Sequence, residues 1–467
     1  MRLFSLRAKY LYWAKMRSRL GGLTEAQSAV FWKNIKDSCK TTLFMSSLQV
    51  TRGTRDILAP EIYYWQQFET TARQILAQAA YTEIRTPIFE ATELFARGIG
   101  EATDIVGKEM YTFSDRGDRS LTLRPEGTAG VARSYIENKL FAQGGVQRLW
   151  YTGAMFRYER PQAGRQRQFH QLGVEVLGSA DPRADAEVIA IASDFLQAVG
   201  LKDLVVDLNS LGSAEDRVAY REALVEYFTP FAEEIDADSR DRLTRNPLRI
   251  LDSKDKRTQE ISQDAPSILE YLSSESQQHF EKVQNLLTDL NIPYRINNRL
   301  VRGLDYYTRT AFEIQSNQLG AQSAVCGGGR YDRLIAELGG ADVPAVGWAI
   351  GLERLVILMQ QVAEQKRSQV DFYIISRGEQ AESKSLSIAQ ILRKTGFIVE
   401  LDLSGAKFDK QFKRASNANA KAAVVIGDSE IESGQVQIKW LESGEQEAIA
   451  IADLSDNFEA LRQKLKL

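Results

Sequence analysis

Two strand-like runs, 149–157 and 168–177, flank a polar loop that contains Pro161 and Gly164. A connection this short folds the second run back beside the first, so the pair reads as an antiparallel hairpin. Other segments extend the sheet it begins. Residues 83–89 read as a strand that carries Pro87, hence an edge or interface strand. Residues 205–209, 311–314 and 346–350 read as further strands, the last running into a helix from Leu352. Over 61–80, apolar residues at Ile62, Trp65, Phe68, Ala72, Ile75, Leu76 and Ala79 form one helical stripe, entered through Pro60. A second helix is predicted over 181–200. From about 214 to about 292 the chain turns charged and helical in pattern, which reads as a helical insertion between strands of one α+β domain. Past a linker near 364–368 the rhythm changes. Strands at 372–375, 397–401 and 422–426 alternate with helices at 381–394 and 407–418, as in a small α/β domain with a mostly parallel sheet.

The totals are those of a soluble globular chain. With 467 residues it should hold two or three domains. No apolar run reaches the ~18 residues that a membrane span needs. Cys39 and Cys326 lie far apart, which points to a reducing compartment, and with only two histidines a structural zinc site is not expected. A net charge of −3 leaves RNA contact to local basic patches. Residues 1–44 are basic, with only Glu25 and Asp37 as acids. They read as a poorly ordered upstream extension, Met45 standing just before the globular pattern. An organellar transit peptide is the alternative and a secretory signal fits badly.

Several short runs carry chemistry. Arg302-Gly303-Leu304-Asp305-Tyr306-Tyr307-Thr308 suits neither a surface loop nor a core. It would line a site for a small anionic substrate bearing a planar polar ring. Glu175 ends an apolar strand and, if it faces inward, must be paired, because an isolated buried carboxylate is costly. His170 beside it reads as a hydrogen-bonded structural histidine. Gly327-Gly328-Gly329 lacks the Gly-Lys-Ser/Thr ending of a phosphate loop, so it reads as a tight turn or a place where backbone approaches a ligand. Glu126 and Thr128 either start a helix or aim a carboxylate and a hydroxyl at an ammonium group. Arg157, Arg160, Arg165 and Arg167 form either a solvated basic loop or an anion grip. Arg354 could cap carbonyls, pair with Glu353 or meet phosphates.

Taken together, these fragments resemble the histidyl-tRNA synthetases, a family of class II aminoacyl-tRNA synthetases, over roughly residues 48–467. The resemblance rests on Ile84-Arg85-Thr86-Pro87 with Glu93-Leu94-Phe95 (motif 1), Phe156 to Glu175 (motif 2), Gly347 to Arg354 (motif 3), Arg302 to Thr308, and Cys326 to Asp332. Asn246-Pro247-Leu248-Arg249-Ile250-Leu251-Asp252 is similar to the family's insertion segment. The resemblance implies an antiparallel catalytic domain over 45–368 with its insertion at about 214–292, and an anticodon-binding α/β domain over 369–467. It implies ATP-dependent ligation of L-histidine to tRNA(His) through histidyl-adenylate, with Mg²⁺ on the ATP, in a cytoplasmic homodimer. By resemblance, Arg157 and Arg302 are catalytic, and Arg157 and Arg354 bind ATP. Glu126, Thr128, Gln171, Glu175, Tyr306, Tyr307 and Tyr331 hold histidine, with Glu175 and Tyr307 on the imidazole nitrogens. Arg160 and Gln162 meet the tRNA acceptor end, no protein metal site is implied, and Lys407, Lys410, Lys413 and Arg414 are candidates for RNA phosphates. Two rivals share parts of this pattern, a regulatory subunit of ATP phosphoribosyltransferase and a tRNA sensor without chemistry. The C-terminal domain and the Arg302 to Thr308 signature argue against the first, and the intact Arg157, Arg302 and Arg354 set against the second.

Overall fold

A computed structural model describes residues 48–100, 103–316, 324–362 and 370–465. It divides into two units, 1–56 and 57–467. In the first, Thr54 donates from both its amide and its hydroxyl to the Thr51 carbonyl, at 3.0 and 2.7 Å. The expected extension over 1–44 and the linker at 364–368 lie outside the described residues.

The strands of the second unit are β1 (Thr82–Glu83), β2 (Phe89–Ala91), β3 (Tyr111–Ser114), β4 (Ser120–Leu123), β5 (Gln147–Phe156), β6 (Gln168–Leu177), β7 (Leu204–Ser210), β8 (Tyr294–Ile296), β9 (Thr308–Ser316), β10 (Ala324–Arg330), β11 (Ala345–Gly351), β12 (Phe372–Arg377), β13 (Val399–Leu401), β14 (Ala422–Gly427), β15 (Gln435–Trp440) and β16 (Gln446–Ala450). Eight of them form one sheet in the order β1-β5-β6-β11-β10-β9-β7-β8. It is antiparallel except at its margins, where β1 pairs with β5 and β8 with β7 in parallel. The hairpin runs in unbroken register from Gln147 opposite Leu177 to Phe156 opposite Gln168. β2, β4 and β3 make a small separate antiparallel sheet.

The period of two along β6 sorts its side chains between two cores. Leu172, Val174 and Val176 enter a core shared with helices Ile62–Gln78, Pro182–Ala198 and Leu352–Val362. Each such buried aliphatic contributes about 1.5–3 kcal/mol. Leu177 and the neighbouring β5 residue Tyr151 enter the other core, with Tyr306, Tyr307 and Tyr331. Helix Ile62–Gln78 buries Tyr64, Trp65, Phe68, Ala72 and Leu76 on one stripe. Pro60 does not open it: Glu61 is the cap and Pro60 lies outside.

Three other expectations are corrected. The strand at 83–89 survives only at its ends, as β1 and β2, because Pro87 cannot donate to a ladder and the segment between serves Arg124 instead. The Arg124 guanidinium donates to the Thr86 carbonyl at 3.0 Å and its hydroxyl at 3.1 Å. The glycine run is no turn. It is the middle of β10, paired on both sides, with Gly328 opposite Trp348 and Phe312. The C-terminal sheet, ordered β13-β12-β14-β15-β16, is parallel only across β13, β12 and β14; β15 and β16 add an antiparallel hairpin.

Between β7 and β8 lie helices Ala214–Phe228, Ala237–Arg245, Lys256–Ile261 and Ser274–Asp289. The first three surround a small core of their own, built on Tyr220, Leu224, Phe228, Ile250 and Ile261. Asp236 ties it together, accepting from the hydroxyls of Ser239, Ser253 and Thr258. Helix Ser274–Asp289 returns to the main core through Phe280, Val283 and Leu287. Among the described residues, no helix is long and apolar enough to cross a membrane.

Candidate active site

The face of the sheet opposite the large helices carries two adjoining cavities. The smaller, about 200 Å³, is lined by Glu126, Thr128, Gln171, Glu175, Tyr306, Tyr307 and Tyr331, among others. All seven residues expected to hold one small molecule thus share one wall. Glu175 is 1% exposed. Its two carboxylate oxygens accept from the Thr128 hydroxyl at 2.7 Å and the Tyr331 hydroxyl at 2.5 Å. Burial pushes this carboxyl up to about 8, against the lowering effect of those two hydrogen bonds. Room for it is made across the ladder. Gly347 stands opposite Glu175, and a Cβ there would come within 1.9 Å of a carboxylate oxygen.

The hydroxyl that meets Glu175 across the sheet belongs to Tyr331, a residue expected only to complete the pocket wall. The Tyr307 ring lies under the Arg302 guanidinium, 5.6 Å from its centroid, and against Tyr306 at 4.7 Å. Glu126 is a helix cap as well as a lining residue. Its carboxylate accepts from the amides of Thr128 at 2.7 Å and Ala129 at 2.8 Å, at the start of helix Thr128–Glu137. This satisfies helix-end donors that would otherwise lack partners. The side-chain amide oxygen of Gln171 is buried without a protein partner. A buried acceptor left so is a place where a ligand donor would be favourable.

The larger cavity, about 390 Å³, is lined by Arg157, Arg165, Arg302 and Arg354 with Glu109, Glu159 and Glu313. Arg157, from the end of the β5 hairpin, donates to the Pro125 carbonyl at 2.9 Å and lies 5.3 Å from the Phe169 ring centroid. Arg354, in the first turn of helix Leu352–Val362, donates to the Ala324 carbonyl at 2.6 Å. Arg302 donates to Glu313 at 2.5 Å, and its Nε is buried without a partner. Gly327 leaves it space: a Cβ there would lie 2.4 Å from the guanidinium. Arg157, Gln171 and Arg302 line both cavities, so the two spaces meet at these side chains.

The remaining singled-out residues fall elsewhere. Arg160 and Gln162 are exposed in the hairpin loop, where the Gln162 and Arg165 backbones exchange hydrogen bonds at 3.0 and 2.9 Å. His170 is structural: its Nδ1 lies 2.9 Å from Glu353, and its ring packs edge-on against Trp65. Glu353 therefore serves His170. Arg414 is held by Asp402 at 3.0 Å, while Lys407, Lys410 and Lys413 are exposed.

Sequence reasoning missed Glu313, whose alternation on β9 was its only signal, and the carboxylates Glu109 and Glu159. Burial raises the Glu109 carboxyl, and the negative charge of Glu159 adds to the effect. It also missed a buried network beneath the floor. Arg330, fully buried, meets Asp185 through Nε at 3.1 Å and again through a second nitrogen, and Asp332 at 3.1 Å. His279 lies 3.5 Å from Asp185. Among the described residues, no group of three or more His, Cys, Asp or Glu side chains is placed to hold a metal ion.

Comparison with known proteins agrees with this geometry. A family model described as histidyl-tRNA synthetase matches residues 53–355, and one described as an anticodon binding domain matches 371–461. A histidine–tRNA ligase of Cyanothece sp. is 68% identical over 421 residues, covering 90% of this chain and 98% of its own length. One of Picosynechococcus sp. is 66% identical over 422 residues, covering 90% and 99%. The crystal structure of apo S. aureus histidyl-tRNA synthetase matches with a TM-score of 0.74 at 38% identity, over 88% of this chain and 100% of that one.

Proposed function

The chain belongs to the histidyl-tRNA synthetase family, and from that premise we propose that it activates L-histidine with ATP and transfers it to tRNA(His). The observation that carries this reading is the junction of the two cavities at Arg157 and Arg302. A carboxylate oxygen of histidine, held in the smaller space, attacks the α-phosphorus of ATP held in the larger. The bond from that phosphorus to the β-phosphate oxygen breaks, and pyrophosphate leaves. Negative charge gathers between two anions, so positioning and fixed cations supply the catalysis. A guanidinium suits the task, because its planar fork grips carboxylate and phosphate together and stays charged. In this reading Arg302 bridges the two reactants, Arg157 binds the α-phosphate and Arg354 the outer phosphates. A terminal ribose hydroxyl of the tRNA then attacks the activated carbonyl and AMP leaves.

Histidine is chosen by hydrogen bonds. Neutral imidazole has one donor and one acceptor nitrogen. Glu175 takes the donor, and Tyr307 supplies a hydroxyl to the acceptor. Thr128 and Tyr331 hold the Glu175 carboxylate in place, and Tyr306 closes the wall. The free side-chain amide oxygen of Gln171 and the carboxylate of Glu126 face the α-ammonium. A site built this way rejects side chains that lack the matching groups, since its own polar atoms would be left unpaired. Mg²⁺ enters as part of the ATP substrate, and Glu109 and Glu159, which line the larger cavity, are the carboxylates that this reading turns toward it.

On this reading, Arg160 and Gln162 meet the acceptor end of the tRNA, and Lys407, Lys410 and Lys413 meet its phosphates. The enzyme acts in the cytoplasm as a homodimer joined through motif 1. The exposed Phe89 and Phe113 on the small sheet, with Ile88 just before it, support that interface. Pyrophosphate exchange measured with each of the twenty amino acids tests the proposal. Exchange with histidine alone is expected, and its loss in Glu175→Ala. Exchange with another amino acid, or an unaffected variant, overturns the assignment.

A further inference from the structure

The segment Arg302 to Tyr307 carries the bridging arginine and two tyrosines of the histidine wall, yet no helix or strand spans it. Its shape must therefore come from contacts made by its neighbours. One comes from helix Thr92–Ile99, whose Ile99 carbonyl accepts from the Asp305 amide at 3.2 Å. Three come from the helical insertion, on the side of the loop away from histidine. Asn246 Nδ2 donates to Asp305 Oδ1 at 2.8 Å. Arg249 Nη1 donates to the Gly303 carbonyl at 2.8 Å. Arg217 Nη1 donates to the Tyr307 carbonyl at 3.0 Å.

The local sequence explains the aim of two of these groups. Pro247 disfavours a helical conformation at Asn246, so helix Ala237–Arg245 stops there, and Asn246 takes φ −154° and ψ 82°. Buried Pro247 then starts a short 3-10 helix, Pro247–Asp252, whose first turn presents Arg249 to the loop. Arg249 also faces Asp104, 3.7 Å away, and both line the larger cavity. One short run, Asn246 to Arg249, thus touches both the bridging loop and the opposite wall.

We propose that Asn246 and Arg249 are positioning residues for histidine activation, so that the insertion sets the angle at which Arg302 meets the two reactants. The inference rests on the reading given under Proposed function. Asn246 lines neither cavity, and Arg249 borders only the larger one. Each acts by holding the loop, and small misplacements of a catalytic group can cost a factor of up to about a hundred.

Asn246→Asp sets a second carboxylate against Asp305 and removes the donor. It is expected to lower kcat for histidine-dependent pyrophosphate exchange by about tenfold or more, with a smaller change in histidine KM. The melting temperature should move by less than about 2 °C. Adding Asp305→Asn reverses the two roles and restores one donor facing one carboxylate, so the double variant should recover to within about threefold of the unmodified enzyme. Arg249→Ala, which frees the Gly303 carbonyl, should show the same split between kcat and KM. The proposal fails if kcat stays within about twofold in both single variants, if the exchanged pair recovers nothing, or if each loss of rate is matched by loss of folded protein. Absence of exchange in the unmodified chain would instead sink the underlying reading.

Discussion

Replacing Glu175 with glutamine should change how stability depends on pH, and the direction follows from burial. A glutamate carboxyl ordinarily titrates near 4.5, whereas that of Glu175 is pushed up to about 8 in the folded protein. Between those values the folded chain holds a proton that the unfolded chain has released. The folded state therefore loses ground as the pH rises, at about 1.4 kcal/mol per pH unit. The full effect is present at pH 8 and absent below pH 4.5, and over that interval it approaches about 5 kcal/mol. This is an upper bound, because water entering the cavity would soften the burial cost. Glutamine keeps the shape and still accepts a hydrogen bond, but it does not titrate in this range. Urea midpoints for the ligand-free protein and Glu175→Gln should be taken from pH 4.5 to 8. The stability of the unmodified protein, relative to the variant, is expected to fall steadily across the series. Histidine should reduce that fall, since an imidazole N–H facing Glu175 favours the charged carboxylate. Parallel profiles for the two proteins would refute the claim that burial, unopposed by a nearby cation, governs this carboxyl.

Arg302→Lys should lower kcat for exchange far more than it changes histidine KM, because a point charge cannot span carboxylate and phosphate as a planar fork does; a change confined to KM would count against the bridging role. Asp185→Asn leaves the fully buried Arg330 without its closest carboxylate. It should cost about 3–5 kcal/mol in denaturant unfolding, and a cost under about 1 kcal/mol would show that the pair contributes little. Gly328→Ala would set a Cβ 2.2 Å from the Gly347 carbonyl oxygen and 2.7 Å from Trp348. Overpacking of this kind costs typically about 1–3 kcal/mol and here should reach at least the upper end, visible as a lowered melting temperature; an unchanged melt would mean that the strands can part without penalty.

The elements that the sequence foretold well are those whose signal is local and periodic. The stripe from Ile62 to Leu76 says which face is apolar, and the core confirms it; the two strands at 149–157 and 168–177 pair as the hairpin they were read to be. Positions governed by distant neighbours were harder to place. Gly327 to Gly329 resembled a turn because glycine usually marks one; its small size in fact admits Trp348, Phe312 and the Arg302 guanidinium, all far away in the chain. The hairpin over β15 and β16 also went unpredicted, as its short strands alternate only weakly between buried and exposed positions.

The candidate site divides along the same line. The residue types needed for an anionic reaction with an imidazole-bearing substrate were legible as short runs, since a phosphate clamp demands arginines and imidazole demands an acid and a hydroxyl. Which partner each group takes was not legible. Tyr331 donates to Glu175, Glu353 turns to His170 rather than Arg354, and Arg330 is buried on Asp185. Chemistry depends on side-chain type, which sequence states directly. Pairing depends on distances of a few ångströms between residues more than a hundred positions apart, and only the folded sheet brings those together.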